Sequence, residues 1–173
     1  MQAALALGGA FLPRTVLSVS RPIPWRNWSG HQVACPESRF APGSESELSE
    51  WLKRSKGAVR PAGAGHSFSV LVPTDGHLVA LDRLSGLVAH DGVEFTAEVY
   101  AGSRLSDLGK PLNEVGQAMP NLPDIDHQIV AVAIATATHG TGRELKSISG
   151  YVKKLTLATP RGELLELDDD DER

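Results

Sequence analysis

Arg60-Pro61-Ala62-Gly63-Ala64-Gly65-His66-Ser67-Phe68-Ser69 is a glycine-rich turn with a histidine set into it and hydroxyls directly behind. Glycine accepts positive φ and lets the backbone come close to a ligand. Successive N–H groups in such a run can converge on one point and form an anion nest suited to a pyrophosphate. The His66 imidazole beside that nest is a candidate nucleophile. A phosphate cradle next to a nucleophile points to a nucleotide cofactor that a side chain could tether. The plain alternative for so short a Gly-x-Gly is an ordinary loop. Two familiar phosphate loops do not fit: a Rossmann turn needs a third glycine where Phe68 stands, and a Walker loop needs Gly-Lys-Ser/Thr.

A second loop of small residues and hydroxyls, Ala135-Thr136-Ala137-Thr138-His139-Gly140-Thr141-Gly142, closes the apolar segment from Ile129 to Ile134. Asn27-Trp28-Ser29-Gly30, Ala101-Gly102-Ser103-Arg104-Leu105-Ser106-Asp107-Leu108 and Asp126-His127-Gln128-Ile129-Val130-Ala131 lie around the two loops. With these motifs the chain resembles the FAD-dependent oxidases of the vanillyl-alcohol oxidase type, and within them the sugar-lactone (gulonolactone and arabinonolactone) and alditol oxidases. The likeness runs from about Asn27 to Leu167.

The resemblance implies an α+β FAD-binding module of two small subdomains, residues 27–100 and 101–173, with FAD extended between them. It implies cofactor contacts from Ala62, Gly63, Ala64, Gly65, His66, Ser67 and Phe68, mostly through backbone N–H groups with the Ser67 hydroxyl in support. Thr136, Thr138, His139, Gly140, Thr141 and Gly142 would press on the cofactor from the second subdomain. His66 matches the position that carries an 8α-histidyl bond to FAD in many of these oxidases, with a neutral imidazole, available near pH 7, as the attacking form; the alternative is an imidazole that only hydrogen-bonds the cofactor or the backbone. For His139 the alternative is a structural histidine bonding loop carbonyls. One departure weighs against tight binding. The family commonly has a glycine where Val132 stands in Val130-Ala131-Val132-Ala133-Ile134, and valine resists positive φ and adds bulk.

In the intact family a hydride passes from a hydroxyl-bearing carbon to the flavin, and oxygen or another acceptor takes the electrons; the cofactor carries the chemistry and the protein positions it. The resemblance places the substrate-side groups in a further domain, so no catalytic residue is named, and the isolated chain is expected to be inactive. The expected function is therefore the FAD-binding portion of an oxidoreductase acting on a sugar lactone or polyol, partnered by a C-terminal substrate domain or a second chain. The alternative is a non-catalytic, vestigial flavin-binding module.

Composition agrees with a globular domain. The 173 residues are 41% hydrophobic and 22% charged, with a net charge of −4 that offers no basic face to nucleic acid. Cys35 is the single cysteine, which excludes an internal disulfide and a cysteine-cluster metal site. No His-x-x-x-His pair suggests zinc. Residues 1–26 read as a leader. Ala3 to Leu12 is apolar but too short to span a bilayer; with Ser18-Val19-Ser20 it looks like the core of an export signal without its basic start. An amphipathic or disordered leader is the alternative, and location stays open between export and the cytoplasm. The acidic Asp168-Asp169-Asp170-Asp171-Glu172 end reads as solvated and frayed.

Between these ends, Ser44-x-x-Glu47 predicts a helix start, with Leu48, Trp51 and Leu52 at helical spacing and Gly57 as the stop. Val59-Arg60, His77–Leu81 and Glu94–Tyr100 read as strands, and Ser103–Val115 as a helix. Asp75-Gly76 and Asp91-Gly92 are turns. Tyr151–Thr159 and Glu163–Leu167 read as a hairpin. The aromatic residues outside the loops read as core.

Overall fold

A computed structural model describes residues 24–169. The export-like Ala3–Leu12 stretch, Ser18–Ser20 and residues 170–173 lie outside the described residues.

A two-residue ribbon, β1 (Trp25–Arg26) with β2 (Val33–Ala34), leads into a parallel sheet of β3 (Ser38–Phe40), β4 (Val59–Ala62) and β5 (His77–Ala80). The sheet order is β3-β5-β4, so β5 enters between the two earlier strands. Helix α1 (Glu45–Arg54) makes the crossover from β3 to β4. Its start follows the sequence: Ser44 Oγ accepts the Glu47 N–H at 3.1 Å. The reciprocal arm is moved by one residue, because Glu47 Oε2 accepts from the Gly43 N–H at 2.6 Å. The helix stops at Arg54 with Ser55 as its C-cap, before the expected Gly57. Gly57, at φ +88, instead turns the chain toward β4. Trp51 stacks on Phe40 with ring centroids 4.8 Å apart, which seats α1 on the sheet.

The chain then forms a hairpin, β6 (Leu87–Asp91) with β7 (Thr96–Val99), followed by α2 (Leu105–Glu114). Strand β6 lies outside the strands expected from sequence. Leu105, Leu108 and Leu112 fall on one face of α2 and are buried with Val130, Ala133 and Ile148, forming the main apolar cluster. The apolar segment near 130 is a short helix, α3 (Val130–Ala135), and a 3-10 turn covers Ile148–Tyr151. The last elements are β8 (Lys154–Ala158) and β9 (Leu164–Asp168), an antiparallel hairpin. The mixture of helices with parallel and antiparallel strands is an α+β module.

Two expectations are corrected. The acidic end does not fray at its start: Asp168 closes β9, and Asp169 Oδ2 accepts from Lys153 Nζ at 2.7 Å. The aromatic residues are not all core. Trp25 and the Phe40–Trp51 pair pack inside, but Trp28 is 68% exposed, because it lies over the glycine loop, and Phe95 is 75% exposed. Phe95 sits at the tip of the β6–β7 hairpin at φ +52, pushed out by the turn itself.

That turn is built on Asp91. Its Oδ1 accepts the N–H groups of Val93 (2.7 Å) and Glu94 (3.0 Å). The bonds from Glu94 and then Val93 hold the carboxyl below its ordinary value of 3.8. A depressed carboxylate contributes stability that is present above its unfolded value and is lost as pH falls through the lowered folded value. The Val93 and Glu94 amide signals are therefore expected to shift together as the pH drops below about 4, and Asp91→Asn should remove that step. Unmoved amides across that range in an NMR titration would contradict this account of the turn.

Among the described residues no helix is long and apolar enough to cross a membrane.

Candidate functional site

The glycine loop leaves the carboxyl end of β4. In open parallel sheets ligands bind beyond the carboxyl ends of the strands where the order switches, and β5 entering between β3 and β4 makes such a point. A cavity lined by Trp25, Phe40, Ala41, Ala62, Ala80 and Asp82 opens there, at the start of the loop.

Three residues of the 27–32 turn hold the loop from one side. The Trp28 N–H donates to Gly65 O at 2.9 Å. Asn27 Nδ2 donates to Ser67 O at 3.2 Å, and Gln32 Nε2 donates to Phe68 O at 2.6 Å. Asn27 is 4% exposed, and its Oδ1 accepts the Gln32 N–H at 2.9 Å, so this clamp is itself fixed. Three carbonyls of the loop, those of Gly65, Ser67 and Phe68, are thus engaged. Its donors are not: the N–H groups of Ala64, Gly65, His66, Ser67 and Phe68 donate to no described residue. Gly65 takes φ +75, the backbone reversal for which a glycine is required. The Ser67 hydroxyl accepts the Ser69 N–H at 3.1 Å. A row of open N–H groups on a turn anchored by its carbonyls suits an anionic ligand.

The other side of the loop meets α3. A Cβ added at Gly63 would stand 2.5 Å from Val132 Cγ2 and 3.3 Å from Ile129 Cγ1. Val132 therefore presses into the space that the missing side chain leaves. The concern that valine here must adopt positive φ is corrected: Val132 lies within α3, and only Phe95 and Ala137 among the described non-glycine residues have positive φ. Its bulk is used in packing the first loop.

From Val132 the contacts run directly to the second loop. The N–H and hydroxyl of Thr136 both donate to Val132 O, at 3.0 and 2.8 Å. Thr136 Oγ1 is 3.1 Å from Thr138 Oγ1, which donates to Gln128 Oε1 at 2.8 Å. Gln128 adjoins His127, whose ring stacks on His66 with centroids 5.9 Å apart. The circuit returns to the first loop, so the structure brings the two predicted loops together through the segment 127–136. Ala137, at φ +50, carries backbone strain at the tip of the second loop. Gly140 is required by close approach: a Cβ there would stand 2.1 Å from Leu122 O. The N–H groups of His139, Gly140, Thr141 and Gly142 donate to no described residue, as in the first loop.

The histidines differ in availability. His139 Nδ1 lies 2.8 Å from Gly140 O, which accords with a histidine that bonds a loop carbonyl. His77 is engaged at both nitrogens, by Ser38 Oγ and Lys56 O, each at 2.8 Å. The ring nitrogens of His66 make no hydrogen bond to any described residue. Its ring stacks with that of Trp28, 5.4 Å away at 22°, and with that of His127 at 9°. Trp28 and His127 stand in stretches that carry the family likeness, but nothing in their spacing announces that they meet around His66. Among the described residues no cluster of histidine, cysteine and carboxylate side chains could hold a metal ion.

Residues 36–168, most of the chain, match the family described as FAD binding domain. The chain is a member of the FAD-binding domain family. The FAD-binding domain is also similar to longer proteins. It is 36% identical over 152 residues to an L-gulono-1,4-lactone dehydrogenase of Mycobacterium tuberculosis, covering 86% of this chain and 35% of the relative. It is 34% identical over 161 residues to a D-arabinono-1,4-lactone oxidase of Eremothecium gossypii, covering 89% and 30%. It is 31% identical over 147 residues to an L-gulonolactone oxidase of Bos taurus, covering 83% and 33%. The chain spans about a third of the length of these relatives. The cofactor of the FAD-binding domain is FAD, and the open N–H row of the glycine loop fits its pyrophosphate.

Proposed function

We propose that this chain is the cofactor-binding portion of a flavin-dependent oxidoreductase that oxidises a hydroxyl of a sugar lactone or polyol. The observation that carries the reading is the anchored glycine loop, whose N–H donors and neighbouring His66 ring nitrogens bond no described residue. The lactone dehydrogenase and oxidase relatives support the substrate class.

In this reading Ala62–Phe68 hold the FAD pyrophosphate through backbone N–H groups. Thr136, Thr138, His139, Gly140, Thr141 and Gly142 contact the cofactor from the other side. The cofactor lies between residues 27–100 and 101–173. When bound, FAD would supply the hydride-accepting chemistry, with oxygen or another acceptor taking the electrons. The protein's part is to hold, orient and shield it. In this reading substrate-side groups belong to a further domain or a second chain, and residues 1–173 by themselves are expected to show no alcohol or lactone oxidation above free flavin, because orientation of the reacting carbon supplies much of such a rate.

His66 is the attachment point. One of its ring nitrogens would bond to the carbon of the flavin 8-methyl group, with one methyl hydrogen and the imidazole N–H leaving as protons and the electron pair of the broken C–H bond being taken up, with two protons, by dioxygen as hydrogen peroxide. In the protein loaded with FAD, flavin fluorescence is expected to survive acid precipitation and denaturing electrophoresis, and His66→Ala should abolish it while leaving weaker, noncovalent FAD binding. Release of all flavin from the unaltered protein by acid would remove the attachment claim. Recovery of a nicotinamide instead of FAD, by mass, would remove the cofactor assignment.

A further inference from the structure

His66 stacks with two other rings. The Trp28 indole lies at 22° to its plane and the His127 imidazole at 9°. Centroid separations of 5.4 and 5.9 Å are those of offset stacks, the favoured arrangement for such rings. Each wall is pinned at its backbone. The residues on either side of His66, Gly65 and Ser67, are bonded through their carbonyls to Trp28 N–H and Asn27 Nδ2. The residues on either side of His127 are bonded as well: Asp126 O accepts from the Ser106 N–H and Gln128 O from the Leu105 N–H, each at 3.0 Å. One wall therefore belongs to the N-terminal turn and the other to the 126–128 segment, which is bonded to the first turn of α2.

The stack restricts one motion in particular. Turning the imidazole about its Cβ–Cγ bond would drive a ring edge into the indole or into the other imidazole. The lone pair of a ring nitrogen lies in the ring plane, so fixing the plane fixes the line along which that nitrogen can attack. Two rings stack with it, while its ring nitrogens carry no hydrogen bond within the described residues. A nucleophile with a fixed plane and free edges is oriented before its partner arrives, and orientation of this kind is worth orders of magnitude in rate.

We propose that Trp28 and His127 are positioning residues for the covalent attachment of FAD, acting by stacking with the His66 ring and fixing its plane. The assignment rests on the reading of His66 as the attachment point. Neither residue takes part in the bond. Each needs only a flat ring at its position, so an aromatic replacement should serve and an aliphatic one should not.

The test uses the full chain loaded with FAD and follows covalent flavin over time by fluorescence of the denatured protein. Trp28→Phe and His127→Phe are expected to keep the rate within a few-fold, and Trp28→Leu and His127→Leu to slow it by about tenfold to a hundredfold. Noncovalent FAD affinity, titrated in the His66→Ala background, should move far less than the attachment rate, which a merely structural role would not produce. A second measurement needs no flavin. In the free protein the ring protons of His66 should show an upfield ring-current shift that Trp28→Leu removes. If the leucine variants attach FAD as fast as the phenylalanine variants, the proposal is overturned. A missing ring-current shift in the unaltered protein overturns it independently, by removing the stack. If the unaltered protein forms no covalent flavin while the shift is present, the reading of His66 fails first, and the clamp loses its purpose. If mass mapping places FAD on His127, the roles of the two imidazoles are reversed and the proposal falls. Should Trp28→Leu fail to fold, the His127 pair decides.

Discussion

Gly63→Ala is expected to force the two loops apart and weaken FAD binding by about tenfold to a hundredfold, the equivalent of roughly 1.4–2.8 kcal/mol. The new methyl would stand 2.5 Å from Val132 Cγ2, closer than carbon atoms can approach. Ile129 closes the other side at 3.3 Å, so the methyl cannot turn away. Overpacking of this kind costs about 1–3 kcal/mol. Here the cost falls on the seam joining the first loop to α3, and through Thr136 to the second loop. The effect should be specific to the pair. Val132→Ala removes the offending methyl and should restore much of what Gly63→Ala loses, so the double variant binds FAD better than the sum of the single changes predicts. FAD titration and thermal melting of the four proteins check this together. Strict additivity would mean that the two residues do not touch, since coupling of about 0.5–3 kcal/mol is the mark of side chains in contact.

Gly102→Ala should be the more damaging change to the fold. A Cβ there would meet Leu81 O at 2.0 Å and Leu84 O at 2.6 Å. Both obstacles are backbone, so no rotamer change relieves them. The segment is also fixed on its other side, where Ala101 O accepts from the Ala131 N–H and Ser103 O from the Val130 N–H, each at 2.9 Å. Shifting residue 102 would therefore pull on α3 and on the buried Ser103. A loss of about 3 kcal/mol or more is expected, of the size reserved for core disruption. That corresponds to a fall in Tm of about 6–12 °C for a domain of this size. Gly109 makes the control. It lies inside α2 with open space around it, and Gly109→Ala should stabilise by about 0.5–1 kcal/mol through helix propensity alone. Calorimetry on the two variants separates steric cost from conformational preference. Equal melting temperatures would refute the close approach at 102.

How far the sequence could be read depended on whether a signal was local. The Ser44 cap is a three-residue pattern, and it formed where expected. The Pro160-Arg161-Gly162 turn with leucine-rich flanks gave the β8–β9 hairpin, since a turn and its two strands are adjacent in sequence. The glycine loop was visible because Gly65 at positive φ is a property of one residue. What could not be read was decided by partners far along the chain. Leu87–Asp91 has no clean alternation and becomes strand β6 only because β7 pairs with it. Val130–Ala135 is six apolar residues, a length and composition that strand and helix share; burial of Val130 and Ala133 against α2 settles it as a helix. Val132 looked like an obstacle when weighed against a flavin. It is instead the counterpart of Gly63, a relation that appears only when α3 is laid beside the first loop. The rings around His66 were equally out of reach, because Trp28 and His127 come from opposite sides of it in the chain.

The hydrogen bond from Ser49 Oγ to Gly162 O, at 2.5 Å, spans a sequence separation of 113 residues. Gly162 also lies so close to α1 that a Cβ there would meet the Ser49 carbonyl oxygen. The helix laid down among the first elements is thus completed by the turn of the last hairpin. Contacts of such long reach raise the contact order, and loop closure must be met before they repay it, which slows folding. During synthesis α1 has to wait for 113 further residues before that side is covered. In that interval its uncovered face is a liability, because surface exposed before its partner arrives is open to association with other chains.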